Sequence, residues 1–350
     1  MTKNETCNRT FGPNRLAWSL WDDLVHFDLG ESGATPQIWR DREALYLEKA
    51  SSAVFLRHDV SFDCFRLQAE VAIPGHAGFI GLVFGARDSS NFELAYLAPE
   101  EIQYDPVMNG SMTWQVYNGP SYQKPLPNTT GVWRTLAVEV QPSGAAVYLD
   151  DDPEPQLVVS NLQHGGAAGQ IGFWNFLPCY IRNLSVTEIQ PSPIVRTNRE
   201  FHRLLSETFV MEWMVSEPYH KNGHSVVLPG RTKAYVEENG TLNINRMYSA
   251  EQGATVQAFS AFSISEEKET LVTFGFSDQL RLWVNEEEVY EGKWGWSPPA
   301  GDGRIRPDFA GVPIRWRAGL NTIRAEITNH EGFGWGLSLR TGLSGVQFSE

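Results

Sequence analysis

Apolar and polar positions alternate with a period of two between residues 271 and 292 (LVTFGFSDQLRLWVNEEEVYEG). Val272, Phe274 and Phe276 fall on one side, and Ser277 with Asp278 then turns the chain. Leu280, Leu282 and Val284 alternate against Arg281 and Trp283 until Asn285, Glu286 and Glu287 turn it again. This is the pattern of half-buried antiparallel strands bounded by polar turns. A similar hairpin is predicted over residues 145–159, AAVYLDDDPEPQLVV.

Short strand-like segments of this kind fill the first half: 44–49, 53–56, 65–73, 78–86, 92–98, 113–117, 133–141, 169–175 and 180–189. Turn clusters such as Arg87-Asp88-Ser89-Ser90-Asn91 separate them. In the second half, Phe209, Met211, Trp213 and Val215 mark one face of a strand. Strands at 258–265, 323–327 and 335–339 follow the same logic. The first half shows no 3.6-residue period, and the expected fold is all-β, two β-sandwich (jelly-roll) domains in tandem. The expected boundaries are a polar lead over 1–15, a first sandwich over 16–190, a linker over 191–204 and a second sandwich over 205–350. Prolines at 191 and 193 interrupt strand pairing and stiffen that linker.

The 31 glycines and 20 prolines suit many tight turns, and 350 residues suffice for two cores. A net charge of −14 disfavours nucleic acid and anionic membranes, so neither is expected as a partner. The three cysteines, Cys7, Cys64 and Cys179, are widely spaced, which suggests neither a disulfide framework nor a zinc site. The polar start MTKNETCNRTFGPN lacks the apolar core of a signal peptide, and no apolar run approaches the roughly 20 residues that span a bilayer. The expected location is cytoplasmic. Sequons beginning at Asn4, Asn8, Asn109, Asn128, Asn183 and Asn239 carry weight only in an exported protein.

No dinucleotide or phosphate loop, Gly-x-Ser-x-Gly elbow or His-Glu-x-x-His motif is present, so no cofactor is expected. No metal is expected either. Asp150, Asp151 and Asp152 diverge and are followed by Pro153, and His220, His224 and His330 are scattered.

The order FRLQAEVAIPGHAGFIGLVFGARDSSNFELAYLAP, WQVYNGPSY, GVWRTLAVEVQPSGAAVYLDDDPEPQLVV and GQIGFWNF resembles the concanavalin A-like (laminin-G-like) jelly roll, including domains grouped with 3-keto-disaccharide hydrolases. The later set FGFSDQLRLWVNEEEVYEG and RAGLNTIRAEITNHEGFGWGLSLR resembles a galactose-binding-like jelly roll, with Glu286 where that hairpin carries a turn glycine. The turn type is therefore expected to differ. Both resemblances imply a carbohydrate-related protein. The catalytic Glu-x-Asp-x-x-Glu strand of sandwich glucanases is missing.

Sugar recognition takes flat aromatic faces together with amide, carboxylate or guanidinium groups. Trp114, Gln115, Tyr117 and Tyr122 form one such mixture, with the two tyrosines expected to be the more exposed, and Trp174 forms another. For Trp114 and Trp174 taken singly, filling the sandwich core is the stronger reading. The irregular segment 293–311 is the leading recognition loop. Trp294 and Trp296, two apart, would face the same way, and Asp302, Arg306 and Asp308 would meet hydroxyls. The expected function is noncatalytic, lectin-like binding of oligo- or polysaccharide. One alternative is a glycosidase-type hydrolase drawing on Glu70, Glu93 or Glu139 in the first sandwich. The other is a structural or protein-interaction module.

Overall fold

In the computed structural model, residues 14–49, 52–192, 199–221 and 230–348 are described. His224 and Cys7 lie outside them. The chain is all-β. Two compact units divide it: the first takes residues up to Ala86 with Ala95–Ile102 and Pro125–Ile194, the second Arg87–Leu94, Gln103–Lys124 and the residues from Val195 onward. No helix among the described residues is long and apolar enough to cross a membrane.

In the first unit an eight-stranded sheet runs in the order Leu157–Val159, Gly144–Leu149, Arg134–Gln141, Phe65–Ala72, Cys179–Glu188, Arg42–Leu47 and Thr35–Trp39, with Arg15–Trp18 also pairing Cys179–Glu188. Phe65, Leu67, Ala69 and Val71 are buried, while Arg66, Gln68 and Glu70 face outward, as alternation requires. A second sheet sets Phe79–Asp88, Gln170–Phe176, Ser52–Leu56 and Phe27–Asp28 side by side. The hairpin expected over 145–159 is present, with Ala145 opposite Val159.

In the second unit an eight-stranded sheet carries Arg231–Tyr235, Glu212–Ser216, Ala254–Ile264, Gly319–Thr328, Gln279–Val284 and Glu287–Lys293 in that order. A four-stranded sheet carries Thr241–Asn243, Gly336–Arg340, Lys268–Ser277 and Ala310–Trp316. Leu280, Leu282, Val284, Phe274, Phe276 and Trp335 share one core, and Arg281 lies outside it. Ser277 and Asp278 do more than turn a hairpin: the strand before them belongs to the four-stranded sheet and the strand after them to the eight-stranded one. The next turn keeps a tight geometry despite Glu286. Asn285 and Glu286 both have positive φ, 50° and 66°, as a type I′ turn demands.

Several elements differ from expectation, among them additional strands at Thr35–Trp39 and Glu101–Tyr104. Residues 113–117 form a turn, not a strand, because the Val116 and Tyr117 amides both return to the Thr113 carbonyl. An α-helix, Arg199–Ser206, starts in the expected linker and runs past its end; Leu204 is buried, and Phe201, Leu204 and Leu205 recur at the helical spacing over only two turns. Ala310–Trp316 is an additional strand. Its Pro313 reads as a breaker, yet the strand lies at the edge of its sheet, where a missing amide donor breaks no ladder.

The alternation yields a paired expectation. Leu282→Ala removes a fully buried side chain and is expected to cost roughly 2–5 kcal/mol. Arg281→Ala, beside it on the outer face, should cost about 1 kcal/mol or less. Urea unfolding of both variants, followed by circular dichroism, measures the difference.

Candidate functional site

Gln115 organises this part of the second unit. It is fully buried, and both its backbone and its side chain are engaged. Its amide donates to the Phe333 carbonyl at 3.0 Å, and its carbonyl accepts the Ile305 amide at 2.9 Å. Its Nε2 donates to Glu331 Oε2 at 3.1 Å, and its Oε1 lies 3.0 Å from the Ser277 hydroxyl. A Cβ at Gly303 would sit 2.2 Å from Gln115 Nε2, so only glycine allows this approach. Three separate chain segments, around 277, 305 and 332, are thereby fastened to one residue, two through its side chain and two through its main chain, the last segment through both.

Asp278 and Glu331 complete the fastening. Asp278 Oδ2 accepts the backbone amides of His330 and, at 2.9 Å, Glu331. Its backbone carbonyl accepts the Trp294 amide at 2.7 Å. Glu331 Oε1 accepts the Trp296 amide at 2.6 Å. At Gly295 a Cβ would meet Glu331 Oε1 at 2.4 Å and Asp278 Oδ1 at 3.6 Å, so both carboxylates close on one point of the backbone. Burial pushes the Asp278 carboxyl up to about 6, against the opposing pull of the Ser277 hydroxyl and the two loop amides. The Ser277 hydroxyl lies 2.6 Å from Asp278 Oδ1, and its one proton can serve either that oxygen or Gln115 Oε1. A protonated Asp278 donating to Ser277 frees Ser277 to donate to Gln115. Burial and a shortage of donors thus favour the neutral acid together.

These groups border a cavity of about 410 Å³ lined by Asp278, Lys293, Trp294, Trp296, His330 and Glu331, among others. Trp296 is 51% exposed. It is steadied by an edge-to-face contact with Trp114, centroids 5.6 Å apart at 87°. Trp114 in turn carries the Arg304 guanidinium over its ring at 5.3 Å. Burial and the nearby Lys293 charge lower the pKa of His330, which favours a neutral imidazole.

The expected site residues divide. Trp114, Trp294 and Trp296 come together here, but Trp294 and Trp296 do not form one shared platform. Trp294 packs its ring on Phe309 at 4.4 Å and donates Nε1 to the Arg304 carbonyl, leaving Trp296 as the exposed ring. Asp302 is held by Arg306 at 3.0 Å, and although burial alone would raise its carboxyl, that bond and the Arg304 contacts hold it below the usual range. Asp308 is exposed.

Tyr117 and Tyr122, expected to be exposed, are buried. Arg246 donates to the Tyr117 hydroxyl at 3.1 Å, and Tyr122 donates to Glu238 at 2.6 Å. Trp174 is buried against Tyr96 and Phe176. Sequence reasoning missed Asp278, Glu331 and Lys293 because the first two look like ordinary turn residues. The available signal was a serine–aspartate pair breaking a perfect alternation at 277 and 278.

No family model matches this chain, and no curated protein matches it. Among solved structures, carbohydrate-binding module CBM66 from Bacillus subtilis aligns at 16% identity over 47% of this chain and 96% of its own, with a TM-score of 0.37. A native glycosidic hydrolase aligns at 8% identity over 51% of this chain and 97% of its own, TM-score 0.36. The Crh5 transglycosylase in complex with NAG aligns at 11% identity over 51% and 88%, TM-score 0.34.

The raised Asp278 pKa sets a direction for stability. The unfolded carboxyl ionises near 3.8 and the folded one near 6, so its contribution is complete below about 4 and lost as pH rises through about 6. Asp278→Asn keeps an oxygen for the loop amides and donates to Ser277 at every pH. The variant should exceed the natural protein by roughly 1–3 kcal/mol at pH 7.5 and lose that advantage near pH 4. Denaturant titrations at both pH values measure it.

Proposed function

We propose that this protein binds carbohydrate without transforming it, and that the cavity beside Trp296 is its saccharide subsite. The observation that supports this most directly is an exposed indole set beside polar groups whose positions are fixed by buried hydrogen bonds. An exposed ring offers a flat face to the C–H side of a pyranose, and rigid polar neighbours select its hydroxyls. His330, Lys293 and the remaining lone pairs of Glu331 are placed to do this at the cavity wall. In this reading Trp114 acts as a brace for Trp296. Gln115 holds the wall from behind, and Asp302 and Arg306 shape the adjoining loop. Tyr117, Tyr122 and Trp174 serve packing. The two sheet systems correspond, in this proposal, to a concanavalin A-like and a galactose-binding-like jelly roll.

A hydrolytic reading has one observation in its favour, and it is not in the first sandwich. Glu70 is engaged by Arg42 and Asn183, Glu139 by Arg66, and Glu93, which falls in the second unit, by Tyr104. Asp278 and Glu331, however, border the same cavity, and a retaining glycosidase needs two carboxyl groups about 5 Å apart. Against it, Asp278 is only 3% exposed and both carboxylates are bound by backbone amides, the arrangement of a buttress.

Intrinsic fluorescence titrated with a panel of neutral oligosaccharides separates these readings. Binding at Trp296 gives a saturable shift that Trp296→Ala removes, while Trp174→Phe keeps it. A shift accompanied by release of reducing ends, lost in Glu331→Gln, would favour the hydrolase. Silence across the panel with folded variants would remove the subsite and leave a protein-interaction role.

A further inference from the structure

The outward face of the eight-stranded sheet in the first unit carries a second aromatic cluster, separate from that unit's core. Trp39 stacks on Tyr180 with centroids 5.3 Å apart at 18° and meets Trp133 edge-on at 5.3 Å. Tyr46 leans on Tyr180 at 5.0 Å. Register puts these groups on one face: Tyr180 lies opposite both Ala72 and Tyr46, and Trp39 lies opposite Arg42. Trp39, Tyr46 and Trp133 remain partly exposed.

Two departures from regular sheet geometry aim polar groups at this patch. The first is the hairpin turn at Arg40 and Asp41, where both residues have positive φ, 50° and 60°. Such turns favour Asn-Gly, so an arginine there is an expensive choice for folding the hairpin. It suspends the Arg40 guanidinium 5.0 Å over the Trp39 ring. The second is a register shift between Arg182 and Ser185, with Asn183 at φ 54°. Bulges of this kind re-aim side chains. This one sets Arg182 over Trp133 at 5.9 Å and brings the Asn183 amide to Glu70 at 2.7 Å.

Charge gives the ligand class. Two guanidinium groups, Arg42 and Arg182, lie 2.7 Å and 3.7 Å from the Glu70 carboxylate, and a third, Arg40, stands over the adjoining Trp39 ring. Asp41 is exposed in the adjoining turn. The patch thus carries a local positive excess on a chain of net charge −14. Guanidinium forks match carboxylates in two-point geometry, and aromatic edges with Gln37 and Asn183 suit a hydroxylated ring. We propose that this sheet face is a second binding site, distinct from the Trp296 cavity, for a polysaccharide bearing uronic-acid carboxylates.

Affinity electrophoresis of the full chain in gels containing polygalacturonate, with laminarin as a neutral control, tests this. The informative variant is Arg40→Asn. Asparagine relaxes the positive-φ turn, so the variant should melt no lower than the natural protein while losing the guanidinium. Expected are about tenfold weaker polygalacturonate binding in Arg40→Asn, no change in Trp296→Ala, and weakening of the natural interaction as salt rises past about 0.15 M. The proposal is overturned by undiminished polygalacturonate binding in Arg40→Asn, by loss in Trp296→Ala instead, or by no retardation of the natural protein. A sulfated glycan retained while polygalacturonate is not would overturn the carboxylate assignment. Failure here leaves the neutral-sugar shift at Trp296 untouched, so the two readings fail separately.

Discussion

One buried residue, bonded through both its main chain and its amide side chain, sets the conditions for the site. Gln115 has no access to solvent, yet its backbone and side chain bond to residues 305, 331 and 333 and approach 277. A buried polar group of this kind costs about 1–3 kcal/mol for each partner left unmade, so these segments hold their positions together or not at all. The cavity wall inherits its geometry from that requirement. Glu331, oriented by Gln115, accepts the Trp296 amide, and Trp114, next to Gln115 in sequence, braces the Trp296 ring. An exposed aromatic on a long loop would otherwise sample many orientations, and binding would lose the entropy of ordering it.

The same constraint accounts for the state of Asp278. Its carboxyl is buried among two loop amides and one hydroxyl whose proton is also wanted by Gln115. Neutral Asp278 satisfies every member of this small network, and ionised Asp278 leaves one oxygen short. Burial thus holds the Asp278 carboxyl up at about 6, and its hydrogen bonds tie it to the loop.

Much of the fold was legible because strand burial has a period of two. Leu280, Leu282 and Val284 point into the core, as do Ile323, Ala325 and Ile327, because any other register would expose them. The elements that escaped were those whose local signal is overridden by position, such as the edge strand containing Pro313. The site was legible in part. Trp294 and Trp296 marked the loop, since two indoles beside glycines and prolines are unusual. Which of them is exposed depends on Phe309 and Arg304, ten to fifteen residues away, and no spacing rule carries that. Tyr117 and Tyr122 misled for a related reason. Their neighbours Gly119 and Pro120 suggest a surface turn, while the partners that bury them, Arg246 and Glu238, lie more than a hundred residues on.

A nitrogen-15 spectrum of the tryptophan indoles during saccharide titration tests binding at Trp296 most directly. Indole signals report each ring separately, so the exposed Trp296 can be compared with the buried Trp213, Trp316 and Trp335 in one experiment. Saccharide binding beside Trp296 should move the Trp296 signal saturably, with Trp114 following to a smaller extent and the three buried indoles unmoved. A saturable response confined to other indoles, or none at Trp296 with any saccharide, would contradict it.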